Sequence, residues 1–223
     1  MLRVSARFSL GATLVATALI CLLHVLPHPM LLATTGMQYP YRPTNFLSEL
    51  VRTQYGPLMT GCFFLLGAGA GTLALALWAK NRREGLLMAL AALALCLLGL
   101  FPTDLADLTT DKVTCGEPTR IEPCTLVGRI HNPLSTLVFA PIALLAVSLL
   151  WRSRTEPTWR FLRWVILGCG ALALVLLLCA RLYLLSSGWT GRGWTGLMQR
   201  SLVLPAVIFL TYLAIYISKK DLS

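Results

Sequence analysis

Six continuously apolar stretches alternate with polar segments of unequal length along the chain. They lie at about 8–26, 57–79, 85–102, 133–151, 161–185 and 202–218, each near the roughly 20 residues a helix needs to cross ~30 Å of hydrocarbon. Lipid cannot satisfy backbone N–H and C=O groups, so closed helices are the expected solution. A β-barrel would need short alternating segments, and these runs are apolar throughout. The pattern predicts an all-α integral membrane protein, a six-transmembrane-helix bundle forming one domain over residues 1–223.

The polar segments differ by side. Lys80 to Glu84 and Arg152 to Pro157 make tight connections. The segment from about residue 27 to 56 is longer, and its prolines (Pro27, Pro29, Pro40, Pro43) favour extended chain. Within it, Thr44-Asn45 can cap a short helix from Phe46 to about Gln54. Phe46, Leu47, Leu50 and Val51 would form its apolar face, with Ser48, Glu49 and Arg52 pointing elsewhere. That reading gives a short interfacial helix at the membrane boundary.

Charge orients the bundle. With the N-terminus inside, the inner segments carry 11 basic residues against three acids, and the outer side carries eight basic residues and six acids. The positive-inside rule then places both termini in the cytoplasm. The first span has a basic start but no small-x-small cleavage site after it, so it is read as an uncleaved helix of a multi-pass protein in a bacterial cytoplasmic membrane.

Composition agrees. The chain is 57% hydrophobic and 13% charged, with mean hydropathy +0.73, whereas soluble domains carry roughly 25% charged residues. The net charge of +10 does not imply nucleic-acid binding, because basic residues beside apolar spans are expected of membrane topology. Membrane lipids are the expected partners, with a protein partner or second copy also open.

The candidate chemistry gathers at the outer end. Cys115 and Cys124 fall in the second outer loop, and an oxidising compartment permits a disulfide between them. Their spacing is too long for a zinc knuckle, and no second pair exists. The other five cysteines lie in spans and are read as packing residues. Asp104 follows the third span and His131 precedes the fourth, with Ser135 one turn further on. A carboxylate can orient an imidazole and stabilise its charged form. Arg181, Gln199 and Arg200 lie near the outer ends of the fifth and sixth spans, where ionisable groups are usually paired, snorkelling or functional. Alternating Gly67, Gly69 and Gly71 would let helices approach closely.

Four functions fit these residues. In the leading one, a pocket of Ser48, Glu49, Asp104, His131, Arg181, Gln199 and Arg200 binds or transports a lipid or isoprenoid headgroup, the arginines holding phosphate. A structural or accessory subunit, with the polar groups only holding helices together, is the alternative. A hydrolase would use His24, Asp104 and His131 as zinc ligands, leaving a position for an activated water. A haem protein would use His24 and His131 as axial ligands. No motif with diagnostic spacing supports zinc or haem.

Phe46-Leu47-Ser48-Glu49-Leu50 with Gly56-Pro57, then Gly99 to Asp104, then His131, then Gly196-Leu197-Met198-Gln199-Arg200 carry a resemblance. At these positions the chain resembles the six-span bacterial membrane family known as domain of unknown function nine-nine-eight. The resemblance runs over about 8–218, and the chain departs from it by a longer, cysteine-bearing loop between Asp104 and His131. It implies a six-helix bundle without an established activity. It draws attention to Ser48, Glu49, Asp104, His131 and Arg200.

Overall fold

A computed structural model describes residues 2–26, 47–103, 125–186 and 192–220. His28, Asp104, Cys115 and Cys124 lie outside the described residues, and so does the disulfide expected between the two cysteines.

Six long helices account for the apolar stretches: α1 (Leu2–Val25), α2 (Gly56–Trp78), α3 (Arg82–Leu100), α4 (Leu126–Thr155), α5 (Arg160–Ser186) and α6 (Arg192–Lys220). All six contain segments long and apolar enough to cross a membrane, so this is a multi-pass membrane protein. Each helix packs on its neighbours in sequence, and α6 returns against α1 to close the ring. The seam between α4 and α5 is the sparsest of the six. Only 11% of the most apolar stretch of α5 is buried, against 50% for α3.

Local chemistry fixes the helix ends. Pro57 sits in the first turn of α2, where a missing N–H costs nothing. The Asn81 side chain caps α3 by accepting from the Arg83 N–H at 2.9 Å. Thr125 caps α4, accepting from the Gly128 N–H at 3.0 Å. Here the structure departs from the sequence pattern, which begins the fourth span at Pro133. The Thr125 cap starts the helix seven residues earlier, and Pro133 and Pro141 are carried inside it. His131 therefore lies in the second turn of α4 rather than in an entry loop.

Close packing is strongest between α2 and α3. A Cβ on Gly67 would collide with the Cys96 sulfur and lie 3.1 Å from the Ala92 carbonyl oxygen; one on Gly85 would lie 2.7 Å from the Trp78 backbone. Gly69 faces the other way, toward Ser9 and Ala12 of α1. The alternating glycines thus bring α2 against both neighbours, as small residues do in membrane interfaces.

The segment before α2 is a 3₁₀ helix, Leu47–Arg52. The apolar pattern turns Ser48 and Glu49 away from the buried face, yet Leu47, Ser48, Glu49 and Leu50 are all buried. The reason is position. The segment packs against α2 and α6, and the Leu47 N–H donates to Gln199 Oε1 at 2.6 Å.

Consecutive helices alternate in direction, which gives the bundle two ends. At one, the last turns of α4 meet the start of α3. Arg152 Nη1 donates to Glu84 Oε2 at 3.0 Å, and Ser148 Oγ to Glu84 Oε1 at 3.1 Å. Arg152 Nε also donates to Glu156 at 2.6 Å. The Arg152 guanidinium stacks 4.9 Å over Trp159, which lies 4.9 Å from the ring of Tyr216 on α6. Glu84 is 1% exposed and Trp159 fully buried. The connecting segments here read as topology charges alone; an acid opening an apolar helix opposite an arginine-rich helix end was the available signal for the network.

Candidate functional site

The opposite end holds a cavity of about 420 Å³. Its polar lining comes from several elements: Ser48 from the 3₁₀ helix, Thr103 after α3, His131, Asn132, Ser135 and Thr136 from α4, and Gln199 from α6. Phe139, Ala140, Ala143, Met198 and Leu202 complete the walls. The α4 contribution follows helical spacing, His131 to Ser135 and Asn132 to Thr136, continuing to Phe139 and Ala143 along one side. That stripe was legible in the sequence once the helix was extended back to Thr125.

His131 is 2% exposed. Its Nδ1 lies 2.7 Å from the Phe101 carbonyl oxygen. A carbonyl only accepts, so Nδ1 carries the hydrogen and donates, and Nε2 is the basic nitrogen of the neutral ring. The bond also ties the end of α3 to the second turn of α4. The Ser135 hydroxyl donates to the His131 carbonyl at 3.3 Å. Gln199 uses its carbonyl oxygen on Leu47, which orients the side chain that lines the cavity. The described lining is mostly apolar surface, into which a few hydroxyl, amide and imidazole groups are set for directional hydrogen bonding.

A second, narrower void of about 70 Å³ runs inward from the same place. It shares Ser48, His131, Ser135, Phe139 and Gln199 with the polar cavity and continues among Leu66, Leu95, Val207 and Leu210.

The other sequence candidates distribute differently. Glu49 is 1% exposed beside Ser48, but it is not part of the described cavity lining. Arg200 is half-buried and donates to the Gly196 carbonyl at 3.4 Å. Arg181 is exposed on α5. Neither arginine is in the described lining. His24 is half-buried, and its Nδ1 donates to the Ile20 carbonyl at 2.7 Å within its own helix. Among the described residues no group of three His, Cys, Asp or Glu side chains is placed to hold a metal. Asp104, the third proposed zinc ligand, lies outside them.

The cavity lies at the end where the sequence resemblance gathers, bordered by the 3₁₀ helix, the end of α3, His131 and the Gln199 region. Neither a curated protein nor a solved structure matches the chain. A family model does match, over residues 30–216, which takes in all of these segments: the chain belongs to the family described as protein of unknown function (DUF998).

Proposed function

We propose that the His131 pocket binds the polar head of a membrane amphiphile, a lipid or isoprenoid, at the extracytoplasmic face, and that the protein binds or transports that molecule. The observation that carries this reading is a hydrogen-bonding cavity of about 420 Å³ at the end of a bundle of membrane-spanning helices. Headgroups reside at that depth, and small-molecule sites combine apolar walls with a few placed polar groups. The charge asymmetry of the connecting segments supports the extracytoplasmic assignment. Arg200, adjacent to Gln199, would supply positive charge at the rim for a phosphate-bearing head.

Mass spectrometry of the protein purified in mild detergent tests the proposal. Wild type should retain a defined amphiphile, and Thr136→Leu, which places a branched apolar chain in the cavity, should lose it. Arg200→Ala should lower the retained amount. Equal lipid content in all three proteins would remove the proposal.

One observation favours a second reading, in which the polar groups only fasten helices. The His131–Phe101 and Leu47–Gln199 bonds each join separate elements. Thr136 separates the readings because it lines the cavity on the exposed side of α4. A fastening role predicts that Thr136→Leu leaves both lipid content and stability unchanged.

A further inference from the structure

Beside the polar cavity, a cleft of about 510 Å³ opens where α4, α5 and α6 fail to close on one another. Its walls are apolar, and each of the three helices sets small residues among bulkier ones such as Ile142, Ile166 and Phe209: Ala143 and Ala146 on α4, Gly170 and Ala173 on α5, Ala206 on α6. Phe139, Ala143 and Leu202 line both spaces. The cleft therefore adjoins the cavity at these residues and extends from there along α4, α5 and α6.

We propose that this cleft holds the hydrocarbon chain of the same molecule whose polar head occupies the His131 pocket, and that the chain enters sideways from the bilayer between α4 and α5. The inference rests on the pocket reading and adds the ligand's shape and route: one slender aliphatic or isoprenoid chain, attached to a hydrogen-bonding head.

Two further observations support it. The α4–α5 seam is the sparsest in the ring, so lateral passage there separates the fewest packed side chains. Gly170 is the second. In membrane bundles glycine ordinarily lets two helices touch, as Gly67 and Gly85 do here. A Cβ on Gly170 would meet nothing within 4 Å. Gly168 on the same helix likewise meets nothing, but Gly170 is the one that lines the cleft, where its small size leaves room. Bulk lipid filling the groove would not need a polar terminus, whereas continuity through Phe139 joins the groove to one.

The test uses the full-length protein in phosphatidylcholine vesicles and three photoreactive alcohols: a long straight-chain alcohol with a diazirine beside the hydroxyl, the same alcohol with the diazirine at the chain end, and a short-chain version of the first. The hydroxyl-end probes should label Thr136 or Phe139. The chain-end probe should label cleft residues such as Val147 or Leu174. Gly170→Leu, which adds a good helix former into open space, should cut labelling by both long probes about tenfold and leave the short probe unaffected. Ala173→Trp provides a second filling variant. Chain-end labels among Leu66 and Val207, or spread over the exposed Leu137 and Leu144 and insensitive to Gly170→Leu, would overturn the cleft while preserving the pocket. Crosslinked dimers through Cys169 would also overturn it, giving the groove to a second copy. Failure of every hydroxyl-end probe to label the pocket would remove the pocket reading itself.

Discussion

At the Glu84 end polar side chains meet one another between helices; at the His131 end they border a cavity with apolar walls. The two ends draw on similar chemistry. Each has a nearly inaccessible ionisable side chain, Glu84 or His131, held by a neighbouring helix. At the Glu84 end the contacts converge: Arg152 bridges two carboxylates and lies on Trp159, whose ring meets that of Tyr216 at a tilt. At the His131 end Nδ1 and the Gln199 carbonyl are committed to backbone partners, while hydroxyl and amide groups border a cavity. Burial of a polar residue alone is therefore common to both ends; what sets the His131 end apart is the cavity beside it.

Mutations can break that comparison. The largest effect is expected for Glu84→Ala, which leaves Ser148 and Arg152 without their shared acceptor. Removing one partner of a buried pair costs about 3–5 kcal/mol, and the lower end applies because Arg152 keeps Glu156. Thermal unfolding in detergent should show the loss, with amphiphile content per folded molecule unchanged.

Gly85→Ala comes next, at about 1–3 kcal/mol, since the new methyl meets rigid Trp78 backbone. The same unfolding experiment reads it, and a neutral result would show that α2 and α3 can separate without penalty.

His131→Ala should cost less stability than Glu84→Ala, about 1–3 kcal/mol for leaving the Phe101 carbonyl without its donor, yet abolish retention of the amphiphile. A loss as large as that of Glu84→Ala, without a change in bound lipid, would make the two ends alike.

The smallest effect on stability is expected for Gly170→Leu, within about 0.5 kcal/mol. It fills open space, and its consequence should appear only in ligand binding.

Much of the architecture was legible in the sequence because lipid imposes a simple rule. Continuous apolar runs near the spanning length become helices, and all six did. Boundaries were less legible where two signals competed. Pro133 marks a common helix entry, but the Thr125 cap took precedence, and this moved His131 into the bundle. The Leu47–Arg52 segment was read by its own periodicity, although its burial depends on α2 and α6.

The site was legible in part. Ser48, His131 and Gln199 were expected at a pocket and line one. His24 was grouped with His131 by depth along the span; its Nδ1 donates to the Ile20 carbonyl, and Asp104, the third member of that group, lies outside the described residues. Arg181 and Arg200 were selected because charge near a membrane boundary is costly; Arg181 is exposed on α5, and Arg200 is half-buried with a contact to the Gly196 carbonyl. The Glu84 network was missed because its members are separated by 64 and 68 positions, and no local pattern links them.

An electron cryomicroscopy map of the full-length protein in lipid nanodiscs, bound to an antibody fragment for size, would show what occupies the His131 end. One continuous density is expected, with its polar end between His131, Ser135 and Gln199 and its tail along Ala146 and Gly170. Solvent alone in the His131 cavity, with ordered lipid only on the outer helix faces, would contradict it.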